Sequence, residues 1–255
     1  MAHENIWFPD PFQNCKILSL NEPTPSNWEV FQKINEHVEQ WQDVTCRLPS
    51  LASAKFVCRD ASESPNGPTA FLRIVKQIPS QVAEQFTRTE PKASQAIRAQ
   101  EATQFTPPEL KAYQALKDRN SPNTPKLLAW QQGTQDASGT VPGGFITWVI
   151  FEDIEGIALG DENGAGIYWE QPPETRAKIR EIGILPIHDG PGNLIWNAER
   201  ETIHFVGFED PEFFQRKGRV TAKIFPRYGL AKTPPGDRWW EYEVNKDPDT
   251  SKWTF

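Results

Sequence analysis

The residues best suited to acid–base chemistry lie together in one short segment of this sequence. His188 and Asp189 are adjacent within residues 186–192, and four of these seven residues are proline or glycine. Such a composition restricts the backbone to an unusual path, and loops held on a rigid base commonly present functional side chains. An imidazole titrates near ~6.5 when unperturbed, which suits a general base or acid. The segment therefore predicts that His188 or Asp189 accepts a proton.

A basic segment at 216–232 is a second candidate site. It holds six basic residues and no acidic one: Arg216, Lys217, Arg219, Lys223, Arg227 and Lys232. A run of this kind is often a solvated face, and it also suits a phosphate or a nucleic-acid backbone. The whole chain carries a net charge of −7, which argues against a protein that coats nucleic acid. We expect any contact with nucleic acid or phosphate to be confined to this segment.

Hydrophobic periodicity predicts the elements that must position these residues. Ser26 and Glu29 have capping-box spacing, and the apolar residues after them recur at helical intervals, which predicts a helix to about residue 42. Strands are predicted at 45–48, 54–59, 70–78, 125–130 and 145–152, helices at 107–119 and 174–182, and a hairpin at 195–196 and 203–208. Residues 79–106 are predicted to be a loop or a weak helix. This order of elements predicts an α+β protein with two lobes.

Composition narrows the class of protein further. With 255 residues, of which 37% are hydrophobic, the chain is long enough to bury a core and too apolar for a disordered protein. Trp148, Trp169 and Trp196 are expected in that core. The three cysteines, Cys15, Cys46 and Cys58, lack metal-ligand spacing and predict reduced thiols. Without a recognisable signal peptide or membrane span, we expect a cytoplasmic protein that needs no membrane, metal or cofactor.

One stretch resembles a known family. Residues 183–196 read GILPIHDGPGNLIW and resemble the catalytic loop of protein-kinase-like proteins, above all a large fungal group with the pattern Gly-Ile-x-His-x-Asp, four residues, then Asn-Leu-x-Trp. That group ends the following hairpin in Asp-Phe-Glu, where this chain has VGFE at 206–209. Upstream, residues 72–79 resemble the third strand of the small lobe, and Glu109 lies in a matching Glu-x-x-Ala-Tyr helix. The resemblance covers roughly residues 45–215.

The resemblance implies a protein-kinase-like, two-lobed α+β fold. Residues 1–44 would form an N-terminal arm and an amphipathic helix. Residues 45–152 would form a small antiparallel β lobe with its hinge strand. Residues 153–255 would form a reduced helical lobe and a tail rich in tryptophan and proline.

The same resemblance implies roles for single residues. Asn193 matches the metal-binding Asn of the family. Arg73 aligns with its phosphate-binding Lys and would pair with Glu109. Lys76 follows three residues later, so strand alternation places it on the opposite face.

Other positions depart from the family's pattern. Gly207 stands where the family has a metal-binding Asp, and glycine has no ligand to offer. Glu209, two residues further on, would need a different backbone path to replace it. Aligned without gaps, His188 falls on the catalytic Asp, whereas a slip of one residue places Asp189 there. Magnesium-dependent phosphoryl transfer is therefore expected to be lost.

Three functions remain open on this reading. The first is a group-transfer enzyme of fungal specialised metabolism, moving an acyl or aminoacyl group. In size the chain is also similar to fungal arginine-containing cyclodipeptide synthases, which use charged transfer RNA. The second is an inactive pseudokinase that binds or regulates a partner, and the third is a residual small-molecule kinase. A small-molecule substrate is expected in the cleft between the lobes, and an acidic pocket around Glu109, Asp189 and Glu209 would favour a cationic one.

Overall fold

The chain divides into two compact units. The first contains Met1–Leu110 and Lys126–Asp153, and the second contains Lys111–Pro125 and Ile154–Phe255. The structure is a computed structural model that describes residues 7–8, 16–40, 49–80, 94–182, 190–208, 221–241 and 246–255. No helix in these ranges is long and apolar enough to cross a membrane.

The first unit is built on an antiparallel sheet of six strands. These are β1 (Lys16–Leu20), β2 (Ser26–Glu39), β3 (Leu51–Asp60), β4 (Ala70–Gln77), β5 (Leu127–Thr134) and β6 (Phe145–Glu152). Their order in the sheet is β1-β2-β3-β4-β6-β5. The backbone N–H of Trp130 in β5 donates to the carbonyl of Glu22, next to β1, at 2.9 Å. This link brings the two ends of the sheet together in a nearly closed, barrel-like form.

The interior of this sheet follows strict alternation along β3. Ala52, Ala54, Phe56 and Cys58 are buried, while the residues between them are partly exposed. Three of these four side chains are small and one is large, which suits the limited space inside a small barrel. Apolar residues from neighbouring strands complete one contiguous core, among them Leu20, Trp28, Leu72, Ile74, Ala129 and Ile150.

The second unit contains a smaller antiparallel sheet and short helices. The sheet has the order β7 (Ile157–Ala158), β8 (Leu194–Asn197), β9 (Thr202–Phe205). The described helices of the chain are α1 (Ser94–Gln100), α2 (Pro108–Asp118), α3 (Gly166–Glu170), α4 (Pro173–Ile182) and α5 (Ile224–Arg227), with 3-10 turns at Pro191–Asn193 and Trp239–Glu241. Of these, α1 lies in the first unit, α2 begins there and continues into the second, and α3 to α5 lie in the second.

The predicted kinase-like two-lobed fold is wrong. Two strands that precede residue 45 extend the sheet to six strands and nearly close it, so the first unit is not a small lobe with an arm beside it. The helices that lie wholly in the second unit have only five, ten and four residues. Frequent prolines limit helix length, and a helical lobe is therefore not present in the described part of the chain.

The predicted helix from Ser26 is also wrong, because this segment is strand β2. Bulges between Val30 and Gln32 and between Lys33 and Asn35 shift the register against β3. Each extra residue converts a spacing of two into three, so Val30, Lys33 and Glu36 pair with the buried residues of β3. Ile34 and Val38, which the predicted helix would bury, are exposed. Ser26 does not cap a helix: its hydroxyl accepts a hydrogen bond from Trp28 Nε1 at 3.0 Å.

Most other predicted elements are confirmed. The strands predicted at 54–59, 70–78, 125–130 and 145–152 correspond to β3, β4, β5 and β6, the predicted helices to α2 and α4, and the hairpin to β8 and β9. Within the segment 79–106, α1 is a short helix. The strand predicted at 45–48 lies outside the described residues.

Candidate anion-binding site

Arg73 and Glu109 form the ion pair that the sequence predicts. Arg73 lies on β4 and Glu109 in the first turn of α2, with Arg73 Nε 3.1 Å from Glu109 Oε2. Their side chains are only 10% and 5% exposed. This pair ties the start of α2 to β4, and its burial leaves little surface with which to bind a ligand.

Lys76 lies on the opposite face of β4, as strand alternation predicts. Its Nζ donates to the carbonyl of Trp7 at 2.7 Å and lies 4.6 Å from the Phe8 ring centroid. Burial lowers the pKa of Lys76 below its ordinary value, and the Glu36 carboxylate partly opposes that shift. Lys76 and Arg73 therefore do not share a site.

Asn193 ends the 3-10 turn that leads into β8. Gly207 lies directly against it with φ at +80°, and a Cβ built on Gly207 would fall 2.4 Å from Asn193 Oδ1. The glycine therefore leaves room for the Asn193 amide, and a carboxylate side chain at position 207 would collide with it.

The remaining predicted site residues are only partly described. His188, Asp189, Glu209, Arg216, Lys217 and Arg219 lie outside the described residues. Lys223 immediately precedes α5 and Arg227 ends it. Within the described ranges, no group of three His, Cys, Asp or Glu side chains could hold a metal ion.

A site that the sequence did not reveal lies in the second unit. We call it the arginine–tryptophan cluster and define it as Tyr168, Trp169, Arg176, Arg180, Lys232 and Phe255. These residues come from α3, α4, the chain after α5 and the C-terminal segment.

Local structure positions the two aromatic residues of α3. Tyr168 is fully buried and packs edge-on against Trp169, with ring centroids 5.2 Å apart and an interplanar angle of 82°. Trp169 Nε1 donates to the carbonyl of Gly229 at 2.9 Å. Gly229 has φ at +69°, a conformation that glycine adopts readily. The turn after α5 thereby fixes the orientation of the indole.

Helix α4 contributes two guanidinium groups from one face. Arg176 and Arg180 are four residues apart and so project from the same side of the helix. Ile179, next to them on the helical surface, is buried and anchors that side. Arg176 Cζ lies 5.1 Å from the Trp169 ring centroid, and Arg180 Cζ lies 4.7 Å from that of Phe255.

Lys232 completes the cluster. Its backbone pairs with Thr254 through two hydrogen bonds of 2.8 and 3.0 Å, which brings the C-terminal segment alongside. Lys232 Nζ lies 4.3 Å from the Trp169 ring centroid. The Phe255 ring packs edge-on against Phe225 of α5 at 5.5 Å. The basic segment predicted at 216–232 thus reaches the cluster through Lys232.

Among the residues that the structure describes, no acidic side chain pairs with the cations of the cluster. Within the described part of the chain, Arg176, Arg180 and Lys232 make cation–π contacts and no ion pair. By contrast, Lys178 on the same helix is paired with Glu201. Burial raises the pKa of Tyr168, and the guanidinium groups of Arg176 and Arg180 act in the opposite direction. Tyr168 is therefore a neutral hydroxyl at physiological pH, close enough to both arginines to feel their charge.

Sequence reasoning placed Trp169 in the core and did not single out Arg176 or Arg180. Trp196 is buried as expected, whereas Trp148 and Trp169 are only partly buried. An available signal was the pair of arginines four residues apart in a predicted helix. Their aromatic partners could not be read from it, because Trp169 and Phe255 come from other segments.

No protein-family model matches this chain, and no curated protein matches it.

Proposed function

We propose that the protein binds a phosphorylated nucleoside at the arginine–tryptophan cluster, either as a free nucleotide or as part of a single-stranded RNA. The supporting observation is that three cations from two separate segments, α4 and the chain after α5, lie over aromatic rings without an acidic partner among the described residues. Phosphate is the ligand group that such cations bind, and a nucleobase is the group that aromatic rings bind.

The charge of the whole chain strengthens this proposal. Acidic residues outnumber basic ones by 34 to 27, so carboxylates are plentiful and most cations could find one. Gathering three cations without a carboxylate is unfavourable unless an anion neutralises them. The planar guanidinium of arginine also matches two oxygens of one phosphate, which a lysine cannot do.

An exposed aromatic surface lies in the same unit. Trp240 is 62% exposed and packs edge-on against Trp239 at 5.8 Å. Asp237, three residues before Trp240, accepts a hydrogen bond from Trp253 Nε1 at 2.8 Å. This bond links the segment that carries Trp240 to the C-terminal segment that contains Phe255. Stacking of a base on an aromatic side chain contributes about 1–3 kcal/mol, and Trp240 offers a ring for it.

A group-transfer reaction is compatible with this ligand. Activated acyl and aminoacyl groups travel on phosphorylated carriers, so the bound nucleotide or RNA would carry the group that is transferred. His188 or Asp189 would then supply the general base. All three functions expected from the sequence, group transfer included, assume the kinase-like fold, which the structure contradicts. The group-transfer proposal therefore rests on the arginine–tryptophan cluster alone.

Titration of the purified protein, followed by tryptophan fluorescence and calorimetry, tests the proposed ligand. Comparing adenosine 5′-monophosphate with adenosine measures the contribution of the phosphate. A short oligouridylate tests binding to RNA. Arg176→Ala and Lys232→Ala should each weaken binding by roughly ten- to a hundredfold, since a hydrogen bond to a charged group contributes about 1.5–3 kcal/mol. Affinity should also fall with added salt.

Lys178→Ala is the matched control, because it removes one positive charge from the same helix at a residue paired with Glu201. It should leave the affinity unchanged. An equal loss in all three variants would show non-specific electrostatics, and absence of binding by the wild type to every phosphorylated probe would refute the proposal. Tighter binding of oligouridylate than of the mononucleotide would identify RNA as the source of the phosphate.

A further inference from the structure

We infer that the anionic group bound at the arginine–tryptophan cluster is a terminal phosphate, a phosphomonoester, whose oxygens accept hydrogen bonds from the Tyr168 hydroxyl and Arg176 Nε. This inference rests on the proposed function and deepens it. It distinguishes the end of a nucleotide or RNA from an internal phosphodiester.

Two buried polar atoms carry the inference. Tyr168 Oη and Arg176 Nε are shielded from solvent and have no hydrogen-bond partner within the described structure. Native proteins rarely keep such groups, because each has lost its water without gaining a replacement. Tyr168 Oη and Arg176 Nε both belong to the arginine–tryptophan cluster, which also contains the cations Arg180 and Lys232.

The chemistry of the two atoms defines the missing partner. Arg Nε can only donate a hydrogen bond, and a phenolic hydroxyl donates when an acceptor is offered. Because burial raises the pKa of Tyr168, its hydroxyl keeps its proton at physiological pH. Two donors without an acceptor among the described residues call for a ligand group with at least two acceptor oxygens, as a phosphate has.

Charge distinguishes a monoester from a diester. A phosphomonoester carries about −1.5 to −2 charges at neutral pH because its second pKa is near ~6, whereas a phosphodiester carries one. Arg176, Arg180 and Lys232 together supply three positive charges. A terminal phosphate balances them better and offers one more oxygen for the two donors.

Because Tyr168 Oη and Arg176 Nε are shielded from solvent, a ligand can reach them only when neighbouring side chains move. Arg180 and Lys232 are exposed and lie over Phe255 and Trp169 through cation–π contacts, which are weak at exposed sites. A phosphate replaces these contacts with charge-assisted hydrogen bonds. The long side chains then close over the phosphate instead of over the rings.

Tyr168→Phe provides the decisive measurement because it removes only the hydroxyl and keeps the ring packed on Trp169. Without a ligand the variant should have the same or a higher melting temperature, since an unpartnered buried group is lost. Its affinity for adenosine 5′-monophosphate should fall about tenfold, in line with the loss of one hydrogen bond to a charged group. Its affinity for a dinucleotide without a terminal phosphate should be unchanged.

Arg176→Lys is the second variant, because it keeps the positive charge and removes the Nε donor. It should weaken binding of the monophosphate by a similar factor. The inference would be overturned if both variants bound the monophosphate as tightly as the wild-type protein does. It would also be overturned if the wild-type protein bound the monoester and the internal diester with equal affinity. If either result came while Lys232→Ala still weakened binding, the proposed function would stand and only the terminal-phosphate assignment would fail.

Discussion

Arg73 on β4 and Glu109 on α2 form an ion pair with both side chains almost wholly out of water. Arg73 Nε and Glu109 Oε2 are 3.1 Å apart, and the side chains are 10% and 5% exposed. The two residues come from elements that are separate in sequence, and each offsets the cost of burying the other's charge. A buried pair of this kind is costly to break and much less costly to replace as a whole.

Glu109→Gln should destabilise the protein by about 3–5 kcal/mol, because it removes the carboxylate that pairs with the buried Arg73 guanidinium. The double variant Arg73→Met with Glu109→Leu should recover most of that loss, since it removes both charges and keeps apolar volume. Urea unfolding followed by circular dichroism measures both values. A loss below ~1 kcal/mol for Glu109→Gln would show that the pair is screened by solvent like a surface ion pair.

Gly207→Ala should destabilise the protein by more than about 1 kcal/mol, because an L side chain at φ of +80° is strained and its Cβ would fall 2.4 Å from Asn193 Oδ1. Adding Asn193→Ala should restore only the part due to the collision. Thermal unfolding of the single and double variants separates the two effects.

Gly166→Ala is the matched glycine control for that experiment. Gly166 begins α3, and a Cβ there would meet no atom within 4 Å. Alanine favours a helix over glycine by about 1 kcal/mol, so this variant should be no less stable than the wild type. If Gly207→Ala behaved like Gly166→Ala, the contact between Asn193 and Gly207 would not constrain the loop.

Lys76 should make stability depend on pH in the alkaline range. Burial lowers the pKa of Lys76 below the 10.5 of an exposed lysine, so the folded protein releases this proton before the unfolded chain does. The free energy of unfolding therefore rises as pH increases through the folded-state pKa towards 10.5, and the benefit is lost as pH falls below that pKa. Glu36, which interacts with both Lys76 and Lys33, reduces the size of this effect.

Comparison with Lys76→Met isolates that contribution. From neutral pH to about 10.5, the stability of the wild type relative to Lys76→Met should increase, by about 1.4 kcal/mol for each unit by which the pKa is lowered. Lys111→Met is the control, because Lys111 is exposed on α2. A constant difference between the wild type and Lys76→Met across this range would contradict a shifted Lys76.

Local pattern determined a large part of the secondary structure. Alternation along β4 places Arg73 and Lys76 on opposite faces, and helical spacing after residue 107 predicts α2 with Glu109 in its first turn. These features depend on residues only a few positions apart in sequence, and hydrophobic periodicity is read over the same short distance. The same reasoning failed for β2, because its two bulges are defined by pairing with β3 and change the apparent period.

Tertiary structure alone decided the fold and the candidate site. Closure of the six-stranded sheet includes the backbone contact between Glu22 and Trp130. These two residues are distant in sequence, so no local pattern predicts the contact. Trp169 and Gly229 are 60 residues apart, and this contact orients the indole that Arg176 and Lys232 both approach. Amino-acid types reveal that arginine, lysine and tryptophan are present. Packing between segments that are distant in sequence decides whether the arginine and lysine side chains pair with carboxylates or lie over aromatic rings.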